Sequence, residues 1–273
     1  MHLNCKGNLI NLNTPKVMGI LNITPDSFHD GGTYINESAI LSQIEKMLNE
    51  GATFIDVGAY SSRPNAEDVT EEQELQRMTP IIGSILKEFP DVVLSIDTFR
   101  SKVAHNCLES GASIINDISA GLLDSEMLKT VAKHKAPYIM MHMKGTPQTM
   151  QEQTKYADLT KEMLFYFSKQ IALARSFGIM DIVVDPGFGF AKTTKQNYQI
   201  LQELDLFSTL DLPILVGLSR KSMIYKTLNI EAKDALNGST ALHMIALNNG
   251  ATILRVHDVK EAVECVHLFK ELS

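Results

Sequence analysis

Asp181-Ile182-Val183-Val184-Asp185-Pro186-Gly187-Phe188-Gly189-Phe190 is the stretch on which the reading of this chain turns. The apolar run Ile182 to Val184 predicts a short buried β-strand that stops on a carboxylate and enters a loop of glycine, proline and aromatic rings. Pro186 cannot continue a strand ladder, and Gly187 and Gly189 allow backbone conformations closed to other residues, so a ligand can approach closely. Phe188 and Phe190 offer flat apolar walls beside one fixed negative charge. That suits a planar heterocycle with an N–H next to an amino group, because one carboxylate accepts both hydrogens side by side. Taken alone, the segment is also readable as a turn whose Asp caps the next helix. The flanking sequence decides.

Outward from this point the same strand, loop and helix recur. Toward the C-terminus a helix spans about Lys195 to Leu204. Pro213 to Val216 is a strand that leads through Gly217-Leu218-Ser219-Arg220-Lys221-Ser222 into helical sequence as far as Asn249. Thr252 to Leu254 ends in Arg255-Val256-His257-Asp258 before a closing helix to Leu272. Toward the N-terminus, Pro137 to Met141 ends in His142 and precedes a helix from about Asp158 to Phe177. Ser113 to Ile115 ends in Asn116-Asp117, with a helix from about Ser125 to His134. Val92 to Ile96 ends in Asp97-Thr98-Phe99-Arg100, with a helix to Ser110. Thr53 to Val57 leads through Gly58 to Asn65 into a helix over Glu71 to Glu88. Val17 to Leu21 ends on Asn22 and a polar loop to Gly32, then a helix over Ser38 to Glu50.

Strands that are continuously apolar and separated by amphipathic helices imply a parallel sheet buried on both faces. Eight such units imply an α/β fold, a (β/α)8 TIM barrel, with the 273 residues forming a single domain and Met1 to Asn13 a short N-terminal hairpin or cap. A doubly wound open sheet is the alternative. No Gly-x-Gly-x-x-Gly follows the first strand, so a dinucleotide site has little support.

Composition narrows the function. A hydrophobic content of 44% and a charged content of 21% describe an ordinary globular chain with a large core. No apolar run is long enough for a signal peptide or a membrane span, so a cytoplasmic protein is expected. The three cysteines, Cys5, Cys107 and Cys265, are widely spaced and suggest neither a disulfide framework nor a zinc site. The net charge of -7 argues against nucleic acid as a partner, but it leaves room for a small anion held by a few local cations.

In a parallel barrel the C-terminal ends of all strands open on one mouth. Those ends supply Asn22, Arg63, Asp97, Asn116, Asp185, Lys221, Arg255 and His257. Singly, each has a structural reading: Asp97 or Asn116 can cap a helix, and His142 can be a satisfied core histidine. Together they divide by chemistry. Asp97, Asn116, Asp185 and Lys221 can surround a flat ring; Arg63, Arg255, His257 and Asn22 can hold a diphosphate. Ser222, at a helix start, is placed to meet a carboxylate. The loop Asn22 to Gly32, with Pro25 and two glycines, is written as a lid would be, and equally as a solvated loop.

The motifs Asn22-Ile-Thr-Pro-Asp-Ser-Phe28, Ser61-Ser-Arg-Pro64, Asp97-Thr-Phe-Arg100, Ile115-Asn-Asp117, Asp185-Pro-Gly-Phe-Gly-Phe190, Ser219-Arg-Lys-Ser222 and Arg255-Val-His-Asp258 resemble the dihydropteroate synthase family, in order and over nearly the whole chain. The resemblance implies condensation of 6-hydroxymethyl-7,8-dihydropterin diphosphate with 4-aminobenzoate, by a homodimer using Mg2+ in folate biosynthesis. It implies Asp185 on the pterin N3–H and 2-amino group, Asn116 and Asp97 on other ring nitrogens, and Lys221 at the 4-oxo and N5 side. It implies Asn22 at Mg2+ and the diphosphate, Arg255 and His257 at the diphosphate with Arg255 also on the pterin, and Ser222 at the benzoate carboxylate. Asp97, Lys221 and Arg63 would be catalytic, and Phe28, Arg63, Pro64 and Phe190 would enclose the second substrate. The chain departs from the family at Tyr60, Ser62 and Asn65, where many relatives have Glu, Thr and Gly. Two neighbouring functions share such a pocket. A pterin-binding methyltransferase using methyltetrahydrofolate has no need of the diphosphate residues, and a non-catalytic pterin-binding paralogue would bind without turnover.

Overall fold

The computed structural model describes residues 1–23, 37–60 and 69–272. Strands β1 (His2–Cys5) and β2 (Asn8–Asn11) form an antiparallel hairpin. The chain then alternates: β3 (Lys16–Asn22), α1 (Glu37–Asn49), β4 (Phe54–Gly58), α2 (Glu71–Glu88), β5 (Val93–Asp97), α3 (Ser101–Glu109), β6 (Ile114–Asp117) and α4 (Met127–His134). It continues as β7 (Tyr138–Met141), α5 (Leu159–Ser176), β8 (Ile182–Asp185), α6 (Thr194–Gln202) and β9 (Leu215–Val216). Helices α7 (Ser222–Leu228) and α8 (Leu236–Asn248), strand β10 (Ile253–Val256) and helix α9 (Val259–Lys270) complete it.

Strands β3 to β10 pair in parallel in the order β8-β7-β6-β5-β4-β3-β10-β9. A bridge between Val184 and Ile214, with Val184 N donating to Pro213 O at 3.0 Å, joins the two ends of that order. The fold is a (β/α)8 TIM barrel. Its hydrogen-bonding capacity explains the closure, since a ring of parallel strands leaves no unpaired edge.

Side-chain alternation sets the barrel's contents. Val17, Ile55, Leu94, Ile115, Val184 and Leu254 point outward and pack under the helices. Met18, Phe54, Val93, Ile114, Ile139, Val183, Leu215 and Ile253, one from each barrel strand, pack together with Leu3, Cys5 and Leu12. Strand alternation puts these eight on the inner face, near the strand starts. The hairpin therefore closes the barrel floor, and two residues further along, five strands carry polar side chains, Asp56, Ser95, Asn116, Asp185 and Arg255, while the other three carry Ile20, Met141 and Gly217.

Helix starts follow local signals. Thr70 with Gln73, and Thr193 with Gln196, form reciprocal capping boxes at α2 and α6. Asp158 accepts from Lys161 N at 3.1 Å to start α5. The helical sequence after Ser222 divides into two helices, because Asn229 takes a left-handed φ of 54° and ends α7. The expected helix to Leu204 gives way after Gln202 to a 3-10 segment over Leu204–Leu210. Cys5, Cys107 and Cys265 are free and buried. Among the described residues, no helix is long and apolar enough to cross a membrane.

Candidate active site

Two positions beyond the apolar floor, the same inner face carries Asp56, Asn116, Asp185 and Arg255. Arg255 lies across the mouth: its Nε donates to Asp56 Oδ2 at 2.6 Å and its Nη2 to Asp97 Oδ2 at 2.6 Å. Asn116 Nδ2 donates to the same Asp56 oxygen at 3.0 Å. Gly58 makes room for this network, since a Cβ there would lie 3.3 Å from Asp97 Cβ. Burial drives the Asp97 carboxyl well above the usual carboxylate range, while the Arg255 guanidinium pulls it back. Burial works against the charge of Arg255, but Asp56 and Asp97 outweigh it and hold the guanidinium more firmly protonated than usual. The second Asp56 oxygen, Oδ1, is buried without a hydrogen-bond partner among the described residues.

Asp185 ends β8 on the other side of the mouth. Its Oδ1 accepts from Gly187 N at 2.7 Å, and burial raises its pKa against the pull of Lys221. The following loop turns on Gly187, whose φ is +71° and whose Cβ position would be 2.3 Å from His142 O. Lys192 fastens this loop from behind. Its Nζ donates to Gly187 O at 3.0 Å, Phe190 O at 3.0 Å and His142 O at 3.3 Å, and lies 3.0 Å from His142 Nδ1. Burial pushes Lys192 down to about 7. Burial, helped by Lys192, pushes His142 down to about 2, so that imidazole is neutral.

Lys221 approaches from the β9 loop, after Arg220 turns the chain with a left-handed φ of 55°. Its Nζ donates to Phe188 O and sits 4.6 Å from the centre of the Phe190 ring. Burial pushes its pKa down to about 8, with Asp185 opposing. Arg220 points elsewhere, gripping Asp258 with Nε and Nη2 at 2.7 and 2.8 Å. This pair ties the Lys221 loop to the start of α9.

Of the residues expected at the mouth, the structure brings together Asp97, Asn116, Asp185, Lys221 and Arg255, with Phe190 against Lys221. Asn22 ends β3 in register with Gly58 of β4. His257 is exposed at the rim, with its N and Nδ1 each 3.3 Å from Ser219 Oγ. Ser222 begins α7 and is partly exposed. Phe28, Arg63 and Pro64 lie outside the described residues, as do Ser62 and Asn65. Tyr60 is described: its ring meets Phe99 edge-on at 5.2 Å and belongs to an apolar cluster with Val69, Met141 and Met150.

Two residues of the site escaped sequence reasoning. Asp56 sits inside the apolar run Phe54-Ile55-Asp56-Val57, where period-two alternation from Phe54 would have placed it on the inner face. Lys192 follows the glycine and aromatic loop and reads as a surface lysine, although it is only 4% exposed. Asp117, quoted with Asn116 in the sequence, faces the other way: it accepts from Tyr138 Oη at 2.6 Å and from Ser119 N at 2.7 Å, which organises the β6 loop.

The mouth thus presents the carboxylates of Asp56, Asp97 and Asp185, two partly buried cations, Arg255 and Lys221, and the Asn116 amide. Such a set can accept several N–H donors in one plane and donate to an oxo group at its edge.

A family model described as pterin binding enzyme matches residues 18–257. The chain is 45% identical to dihydropteroate synthase of Escherichia coli (strain K12) over 270 residues, covering 98% of this chain and 95% of the relative. The Yersinia pestis dihydropteroate synthase in a sulfonamide drug complex superposes with a TM-score of 0.93 at 41% identity, covering 100% of this chain and 99% of that one. The Xanthomonas albilineans dihydropteroate synthase with 4-aminobenzoic acid superposes with a TM-score of 0.92 at 36% identity, covering 99% and 97%.

Proposed function

The chain belongs to the pterin-binding enzymes, within the dihydropteroate synthase family, and from that premise we propose how its barrel mouth works. It is a transferase of folate biosynthesis that condenses 6-hydroxymethyl-7,8-dihydropterin diphosphate with 4-aminobenzoate, giving 7,8-dihydropteroate and diphosphate. The observation that carries this reading is the arrangement of Asp56, Asp97 and Asp185 around Arg255 and Lys221 at one mouth, with Asn116 between them.

Asp185 accepts the pterin N3–H and 2-amino hydrogens, a pairing for which its position at the strand end and its one oxygen fixed by Gly187 are suited. Asn116 and Asp97 meet the remaining ring nitrogens, and the unpartnered Oδ1 of Asp56 offers one further acceptor at the same depth. Lys221, poised over Phe190, donates to the 4-oxo and N5 side. Arg255 stacks on the ring and, with His257 at the rim, faces the diphosphate. Ser222 meets the benzoate carboxylate.

Breaking the C–O bond to diphosphate leaves a cation conjugated with the electron-rich dihydropterin, so a dissociative route follows. The Asp97 and Asp185 carboxylates favour positive charge developing on the ring, in a site where low exposure strengthens their field. The aromatic amine then attacks the CH2 carbon. A strong general base is unnecessary, because the amine is neutral before attack and the anilinium it forms is acidic enough to give its proton to water. Phe28, Arg63 and Pro64, which lie outside the described residues, would exclude water while the cation exists.

Asn22 fits a role at Mg2+. Its carboxamide oxygen is a hard neutral donor, and Mg2+ takes few protein ligands when phosphate oxygens and water complete its shell. When bound, Mg2+ supplies charge neutralisation on the departing diphosphate. We also assign the whole chain, residues 1–273, to one domain that acts in the cytoplasm as a homodimer. Exposed Leu228 on α7, Ile245 on α8 and Leu268 on α9 support the dimer, and sedimentation at micromolar concentration would test it.

The deciding experiment measures diphosphate release with Mg2+, with and without 4-aminobenzoate, alongside mass detection of dihydropteroate. Acid-dependent product is expected. Pterin binding without product, or methyl transfer dependent on a corrinoid, would overturn the assignment.

A further inference from the structure

Helices α3 and α4 are neighbours on the outside of the barrel, and their C-terminal ends lie at the floor, away from the mouth. His105 and Glu109 are four residues apart on α3 and therefore share one face. His134 is the last residue of α4, fixed there by the left-handed turn at Lys135, φ 51°. His105 Nδ1 lies 2.8 Å from His134 Nε2, and His134 Nε2 lies 3.6 Å from Glu109 Oε1. The ligand-type atoms of all three side chains fall within 4.8 Å of one another. In a tetrahedral zinc site with bonds of about 2.0 to 2.1 Å, ligand atoms sit roughly 3.3 Å apart. Two of the three separations lie on either side of that value, and the third, between His105 and Glu109, lies within 4.8 Å and is adjustable through the exposed Glu109 side chain.

We propose that His105, Glu109 and His134 form a second, structural metal site for a divalent ion of the zinc class, with water in the fourth position, clamping α3 to α4. Two imidazoles and one carboxylate are a zinc-type donor set. Both histidines must offer a lone pair. Burial lowers the pKa of His134, with Glu109 opposing and His105, Lys133 and Lys6 adding to the effect. On binding, each ring turns a lone pair to the ion and carries its proton on its other nitrogen. Glu109 offsets the nearby lysine charges, and its exposure, 61%, gives the ion an entry path. Because the site is at the floor, its effect is on stability rather than on turnover.

The test is titration of the full chain with ZnCl2 in excess MgCl2, read by calorimetry and by the unfolding temperature. One zinc per chain and a raised unfolding temperature are expected. Affinity should fall by about 100-fold in His105→Gln and His134→Gln and about tenfold in Glu109→Gln, since even a partner that only orients a ligand is worth roughly 10–100-fold. His267→Gln, an exposed histidine on α9, should bind as the parent does. No zinc binding by the parent chain, or binding indifferent to all three substitutions, overturns the site. Should His134→Gln fail to fold, Co2+ bound to the parent chain decides: intense tetrahedral bands support the site, and weak octahedral ones overturn it.

Discussion

Arg255 on β10 and Asp56 on β4 are joined across the intervening strand β3 by a 2.6 Å bond from Nε to Oδ2. The same guanidinium holds Asp97 on β5 at 2.6 Å, so one cation ties three strands at the level where substrate enters. Removing one member of a buried ion pair leaves the others uncompensated, at about 3–5 kcal/mol. Arg255 keeps 18% exposure, which places Arg255→Met at the lower end of that range. Urea unfolding should show an earlier midpoint with an unchanged slope, together with loss of pterin binding. A double-mutant cycle with Asp56→Asn should return a clear coupling energy; additive effects would mean that the contact contributes little.

The pH profile of kcat/KM should carry an alkaline limb from Lys221. Its folded pKa, pushed down to about 8 by burial, leaves it charged below that pH and neutral above it. Turnover of limiting pterin diphosphate is therefore expected to fall as pH rises through about 8. Lys221→Arg keeps the charge across this range, so the limb should move to higher pH even though overall activity is lower. A limb that stays in place would assign it to another group.

How much of this was legible beforehand depended on whether a residue's neighbours in sequence are also its neighbours in space. The barrel was readable because eight apolar runs and their intervening helices each declare themselves locally. Asp97, Asn116, Asp185, Lys221 and Arg255 were readable because every strand end opens on one mouth. Asp56 was not, because a carboxylate inside an apolar run makes sense only with Arg255, 199 residues away, as its partner. Lys192 was hidden for a related reason: its acceptors include His142, 50 residues earlier, and no local pattern announces them. The helical sequence after Ser222 was legible, but its division into α7 and α8 was not, because the left-handed φ of 54° at Asn229 cannot be seen in hydrophobic spacing.

Gly187→Ala should disable the pterin end of the site without touching a catalytic side chain. The position has φ +71°, where an L-residue costs about 1–2 kcal/mol, and the new Cβ would fall 2.3 Å from the backbone oxygen of His142. Neither atom is at the end of a flexible side chain, so the loop itself must move. Gly187 N would then leave Asp185 Oδ1, its 2.7 Å partner. The expected outcome is a large rise in KM for the pterin substrate with little change in KM for 4-aminobenzoate, and an equal rise in both would argue against a local effect.

Leu3→Ala tests the floor. Leu3 is 1% exposed and packs with the inward residues of the barrel strands, so its truncation should cost about 2–5 kcal/mol in chemical unfolding. Since the hairpin lies opposite the mouth, kcat should remain that of the parent. A fall in kcat at temperatures where the variant is folded would show that floor packing reaches the substrate layer.

Lys192 gives the prediction whose sign is least intuitive. Its ammonium satisfies Gly187 O, Phe190 O and His142 O, yet burial lowers its folded pKa to about 7 from an unfolded value of about 10.5. Between those two values the unfolded chain binds more protons at this residue than the folded chain, so the Lys192 contribution to stability increases as pH rises. The slope is of the order of 1 kcal/mol per pH unit, and Lys192→Met should lack it. Lys221 titrates with the same sign only from about 8 upward, which makes the difference between parent and variant cleanest between pH 7 and 8. Unfolding midpoints across that interval should converge toward acid and diverge toward base, with the parent more stable throughout because the variant leaves three carbonyls without their donor. Parallel pH dependences in parent and variant would show that Lys192 keeps its proton in the folded protein, and that its hold on the Asp185 loop is a fully ionic one.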